Sequence, residues 1–302
     1  MGRRNRHNQP KSGGNRRAKL AARAAEREEL SVDPRPFAGF AGECDMVAMR
    51  EFVPSATARL TTVGDGRDVT VATVLPGAIA GLVRDPELGG EAFVGLQVQV
   101  HGPDVAADLA YAVDWARRAG GGETLSSAHP DDTTPALSDV VVPDAPLEVV
   151  VHDDFAWWVA DGVEVRPEIA QAVRNANEAM MPSARVEAEG IEAAWWVDAG
   201  EKAHIRWVRP EDEDALFEAL ARVHAAGGLD LGEGSRFAGS FRTHGVLVPV
   251  FDLDREMHHQ EWADALRTLD ARLAEALADD SPLSSAERSS RDGLRARQVT
   301  LR

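Results

Sequence analysis

One stretch of the chain, GLDLGEGSRFAGSFRTHG at residues 228–245, sets Glu233, Arg236, Ser240, Arg242 and His244 among five glycines. If Glu233, Arg236, Arg242 and His244 converged in one concave pocket, they would be the candidate catalytic residues of an enzyme of unknown reaction. Phosphate cradling fits the stretch poorly. A phosphate loop feeds a helix N-terminus and carries a lysine. This one feeds a strand, lacks lysine, and contains Asp230 and Glu233. In an extended strand, successive side chains alternate between faces. The spacing therefore predicts Arg236, Ala238, Ser240 and Arg242 on one face, with Phe237 and Phe241 on the other. Two arginines on one face would grip a carboxylate, either a partner's or one of the chain's own.

Other chemistry-bearing residues have simpler readings. Cys44 is the single cysteine, so no internal disulfide exists. A reactive thiolate wants cationic neighbours, whereas Cys44 stands between Glu43 and Asp45; a packing role is expected. Lys202, His204 and Arg206 share one face of a predicted strand. Arg185, Glu187, Glu189 and Glu192 lie on the preceding strands, so cross-strand ion pairs on a solvated face are expected. His152–Asp154 and Met257–Glu261 lack metal-ligand spacing. No cofactor or metal site is predicted. Trp157–Trp158 and Trp195–Trp196, read as strand neighbours, point to opposite faces, and neither pair makes one platform.

The elements that must position these groups follow from capping and periodicity. Helices are predicted from Gly42 to Pro54, after "GPD" at 102–104, over 167–180, after Pro210, and in a long segment with Trp262, Leu266, Leu269, Leu273 and Leu277 as its apolar stripe. Strands are predicted in "ATARLTTV", "VTVATVL" and "FVGLQVQV", and again around Val186, in "IEAAWWVD" and in "KAHIRWV". A strand pair is expected in 147–162. A hairpin is expected over 236–251, with Pro249 marking an edge or bulged strand. The junctions "VPSATARL" and "MPSARVEA" stand at equivalent points of the two series. The fold class expected is α+β: two pseudo-repeated units of helix, three-strand antiparallel meander and helix, followed by a hairpin and a long helix.

Charge divides the chain differently. Net charge is −17, yet residues 1–30 hold nine basic side chains against three acidic, and 281–302 hold five against two. Residues 31–280 therefore carry 19 basic and 45 acidic residues. Such a body repels phosphate backbones, so contact with an anionic partner falls to the ends. The expected organisation is a disordered basic tail over 1–36, a first unit over 37–150, a second over 151–280, and an arginine-bearing C-terminal tail over 281–302. Arg3, Arg4, Arg6, Lys11, Arg16, Arg17 and Lys19 are the candidate contacts. No membrane span or secretory signal is predicted, and a reducing cytoplasm is expected.

The strings "PFAGFAGECDMVAMREFVPSATARL", "VTVATVLP", "EKAHIRWV", "LGEGSRFAGSFRTHGVLVPVFDL" and "GLRARQVTLR" resemble an actinobacterial family of unknown function, from about Pro36 to the C-terminus. Some of its members carry an N-terminal SEC-C zinc motif and a SecA-like label. The first 36 residues here contain no cysteine, so that element is absent. The resemblance implies no active site. The functional expectation is a cytoplasmic, non-enzymatic binding or adaptor protein whose basic tails contact RNA, the ribosome or an acidic protein. The alternatives are an enzyme using the 228–245 segment and a homodimer formed through an open sheet edge.

Overall fold

Helix α1 (Glu43–Glu51) has no solvent side: every residue from Glu43 to Met49 is buried. A helix in that position needs neighbours all round, and two sheets provide them. The computed structural model describes residues 34–160, 162–163 and 165–300. Among these residues there are seven α-helices and two six-stranded sheets. The α+β class read from the sequence is therefore correct.

The first sheet runs β5-β3-β4-β2-β1-β6. Its strands are β1 (Ala56–Leu60), β2 (Val69–Ala72), β3 (Gly81–Val83), β4 (Ala92–Gly95), β5 (Thr124–Leu125) and β6 (Val149–Val151). Helix α2 (Val105–Arg118) packs on β2, β3 and β4. Asp104 caps it, accepting from Ala107 N at 3.0 Å. Helix α3 (Leu137–Val140) is a single turn. Helix α4 (Pro167–Ala179) buries no residue fully.

The second sheet runs β12-β10-β11-β9-β8-β7. Its strands are β7 (Ser183–Arg185), β8 (Ala194–Asp198), β9 (Ala203–Trp207), β10 (Ser235–Thr243), β11 (Val246–Leu253) and β12 (Gln298–Thr300). Helices α5 (Glu213–Ala225), α6 (Ala263–Leu277) and α7 (Ser285–Arg295) cover one face. Ile205, Trp207, Leu247 and Phe251 of the sheet meet Leu216, Leu220, Leu266 and Leu269 there. The opposite face contributes Trp195, Val197, Val246 and Val248 to the core around α1. That core also holds Ala56, Ala58, Leu60, Val69, Val71 and Val94 of the first sheet.

Several expectations change. The first three predicted strands are not a meander: β2 and β4 pair in parallel, because β3 intervenes in the chain and lies beyond β4. β7, β8 and β9 do form an antiparallel meander. The strands of the two proposed copies thus lie in the same lateral order but differ in direction at the third. "FVGLQVQV" stops being a strand at Gly95, after which the chain bends. Residues 147–162 give one strand, β6, and a 3₁₀ turn at Ala156–Trp158 rather than a strand pair. Strand β11 is not an edge: it lies between β10 and β9. The bulge near Pro249 falls on its partner, between Phe237 and Gly239 of β10.

Residues 281–302, expected as a polar tail, contain α7 and β12 among their described positions. Leu283 and Leu294 are buried. The tail's arginines meet the body: Arg295 pairs with Asp214 and Arg291 with Glu218. Arg288 donates to Leu283 O. The N-terminal candidates Arg3 to Lys19 lie outside the described residues. Among the described residues no helix is long and apolar enough to cross a membrane.

Met49 is fully enclosed at the centre of α1. Met49→Ala should cost about 2–5 kcal/mol, the usual penalty for emptying a core side chain, read as a lower urea midpoint with an unchanged slope.

Candidate functional site

The bulge in β10 decides where the arginines of the glycine-rich segment point. Before it, Arg236 pairs with Asp252 and Phe237 with Phe251; after it, Phe241 pairs with Val248 and Arg242 with Leu247. Directly opposed residues face the same way. One extra residue at Ala238 reverses the alternation, so Arg236 and Arg242 emerge on opposite faces. This corrects the expectation of a shared face. Arg236 joins the α1 side and binds Asp252 Oδ2 at 2.7 Å. Arg242 joins the helix side and binds Glu213 at the start of α5, also at 2.7 Å.

The other two candidates are equally separate. Glu233 is exposed in the turn before β10. His244 occupies the two-residue turn between β10 and β11 together with Gly245, both with positive φ (46° and 72°). Such paired left-handed residues match the twist of a hairpin. The strain at His244 is offset by a 2.7 Å bond from its Nε2 to Glu51 Oε1 at the end of α1. Burial pushes the Glu51 carboxyl up, but His244 and Arg50 outweigh it and hold it below the usual carboxylate range. Glu233, Arg236, Arg242 and His244 therefore share no pocket: three are engaged by three different carboxylates, and the fourth stands in an exposed turn.

Cys44 is buried, and burial with the neighbouring Glu43 and Asp45 charges pushes its thiol up to about 12. The packing role read from the sequence agrees with this. The adjacent carboxylates are held by arginines. Arg35 Nε and Nη2 reach Glu43 at 2.5 and 2.8 Å. Arg185 reaches Asp45 at 2.9 Å. Burial nevertheless pushes the Asp45 carboxyl above its ordinary value, with Arg185 acting against it.

Trp195 is fully enclosed and Trp196 turns to the other face, as alternation in a strand requires. Trp157 and Trp158 do not follow that rule, because they lie in the 3₁₀ turn. Their rings stand edge to face with centroids 6.4 Å apart. Trp157 donates to Ser55 Oγ and Trp158 to Val74 O. His152 stacks on Trp157 and bonds Thr57 Oγ1 at 2.8 Å.

The strip formed by Lys202, His204 and Arg206 has the least ordinary environment. Its expected partners were acids of the preceding strands. The register instead brings Asp252 of β11 beside His204, and that one carboxylate serves Lys202 (2.7 Å), His204 (3.2 Å) and Arg236 (2.7 Å). Burial acts to raise the Asp252 carboxyl, but Lys202 and Arg236 overcome it and hold it below its usual value. Burial pushes the His204 imidazole down, against the pull of Asp252.

Arg206 lies beyond the reach of Asp252. Its neighbours across the ladder are Trp195 and Val250. Its guanidinium stands over the Phe52 ring at 5.3 Å. Among the described residues it makes no ion pair or hydrogen bond. The sequence pointed to this strip, but nothing local in it separated Arg206 from its neighbours.

Residues 36–302 match the model of a family of unknown function (DUF5926), and the chain belongs to that family. No curated protein and no solved structure matches it.

Asp252 and Glu51 both have depressed folded-state values, so the stability they contribute is present above the ordinary carboxylate range, about pH 4, and is lost as pH falls through their folded values. Asp252→Asn should flatten the acid limb of a stability–pH profile measured between about pH 5 and 2, with little change in slope above it. Native Cys44 should resist a thiol reagent at pH 7.5 and react fully in denaturant, a contrast read by absorbance or mass shift.

Proposed function

From the way charge is partitioned in the chain, we propose that the protein is a binding or adaptor protein rather than an enzyme of the 228–245 segment. Its N-terminal basic residues, Arg3, Arg4, Arg6, Lys11, Arg16, Arg17 and Lys19, contact an anionic partner, with RNA, free or in the ribosome, ahead of an acidic protein. The carrying observation is the segregation of charge: nine basic side chains against three acidic in residues 1–30, beside a middle region of 19 against 45. Cation clusters of this kind bind phosphate backbones by releasing counterions. The C-terminal arginines support the assignment by contrast. Arg291 and Arg295 are taken up by Glu218 and Asp214 of the body, which leaves the N-terminal group to act on a partner. A cytoplasmic location belongs to the same proposal.

The test compares the full chain with a Δ1–30 variant; residues 35–302 form a compact unit of their own. In a gel-shift titration with single-stranded RNA at low salt, the variant should bind at least ~10-fold more weakly. Binding by the full chain should fall steeply with salt, and that dependence should be largely lost in the variant. Equal affinity in both, or no affinity in either, would overturn the reading.

A further inference from the structure

The sheet face that carries Arg206 is covered by α1 only as far as Glu51 and Phe52, and beyond that point it opens into a cavity of about 370 Å³. The floor comes from β9, β11, β10 and β12: Arg206, Val250, Gly239, Phe241 and Val299. Phe52 closes one side, its ring edge to face with Phe241 at 6.2 Å. Gly239 keeps this floor low, because a β-carbon there would stand 2.8 Å from the carbonyl oxygen of Arg297, on a backbone with φ of 150°.

The floor around Arg206 is mainly apolar, while Glu51, His204 and Arg297 also line the cavity. A guanidinium has five N–H donors. Arg206 is half-buried, and a charge withdrawn even partly from water gains from an ion-pair partner. Arg206 has the Phe52 ring and no acceptor among the described residues. Burial alone pushes its guanidinium down, with no carboxylate acting to restore it. The nearby acids are already engaged: Asp252 by Lys202, His204 and Arg236, and Glu51 by His244.

We infer that this cavity is a binding site for a small organic monocarboxylate, whose carboxylate pairs with Arg206 and whose apolar body lies against Phe52, Phe241 and Val250. The charge and shape of the site select that class. One planar guanidinium matches one carboxylate through two parallel hydrogen bonds. A phosphate dianion would meet the Glu51 carboxylate in the cavity wall, which repels two negative charges more strongly than one. A neutral ligand would offer the guanidinium no charge-assisted partner. The volume lies at the lower end of the range for small-molecule pockets.

The full-length protein is titrated with benzoate, benzamide and inorganic phosphate, with binding followed by melting temperature and by NMR shift changes. Benzoate should bind saturably. Benzamide, the neutral isostere, should bind at least ~10-fold more weakly, the loss of a charge-assisted pair. Phosphate should not compete. Arg206→Met should abolish benzoate binding. Should that variant fail to fold, Val299→Trp offers the same test, because Val299 is 59% exposed at the rim. The added indole would fill the mouth without disturbing the core, and should remove benzoate binding at unchanged stability. Absence of saturable benzoate binding, equal binding of benzamide, competition by phosphate, or full binding by the Val299→Trp variant would each overturn the assignment.

Discussion

The structure depends on enclosing a helix that carries two carboxylates in its first turn. Glu43 and Asp45 favour the positive end of the α1 dipole, yet both are buried. A buried carboxylate without a partner costs several kcal/mol, so the fold must bring cations to it. Arg35 comes from the segment just before α1 and Arg185 from β7 of the second sheet. The far end has the same need, because the last carbonyls of a helix lack internal partners. Gln97, just after β4, donates to Met49 O and Val53 O at 2.7 and 3.0 Å. Arg50 donates to Leu96 O. The first sheet thus closes one end of α1 and the second sheet holds the other. The same nine-residue helix joins both sheets into one apolar core.

The open cavity follows from the length of that helix. Strands β9 and β11 present a longer face than α1 can cover. Where α1 stops, Phe52 turns onto Arg206 and Phe241, and Glu51 is tied to the β10–β11 turn through His244. Further along the same face, Asp252 neutralises its cluster of cations. Arg206 lies between these two arrangements, opposite Trp195 and Val250.

What the sequence disclosed and what it concealed divide along the range of the interactions involved. The long helices were legible because their signals are local: Asp104 before α2 and Asp212 before α5 both cap as their positions suggest, and Leu266, Leu269 and Leu273 keep helical spacing and are buried. Strands β3, β5 and β12 were missed; each is two or three residues long and exists only through pairing with distant strands. The hairpin of β10 and β11 was found, but the bulge at Ala238 has no compelling local signature, and it alone sends Arg236 and Arg242 to opposite faces. The apparent duplication shows the same limit. Motifs such as Pro-Ser-Ala mark similar junctions, but strand direction is set by what lies between the strands. β3 returns the chain before β4, so β4 runs parallel to β2, whereas β8 passes directly into β9 and the pair is antiparallel.

In a chain with 50 acidic and 33 basic residues, an arginine can usually find a carboxylate, and the pairing pattern therefore carries information. Arg209 illustrates the common case: burial would push its guanidinium down, but Glu211 and Asp270 outweigh that and hold it up. Arg242, Arg291 and Arg295 each reach an acid on α5. At Arg206 burial pushes the guanidinium down and no carboxylate compensates. The contrast is one of register rather than composition. A strand one position out of step would set a different β9 residue opposite Asp252 and turn Arg206 toward the helix-covered face, since a single-residue slip exchanges the two faces of a strand. The bulge lies on β10, so the β11–β9 ladder keeps its alignment while β10 alone is reversed beyond Ala238. That local defect brings Phe241 to the cavity side and sends Arg242 to α5. Without it, Arg242 would join Arg206 and Arg236 on that face, and Phe241 would turn away from the cavity.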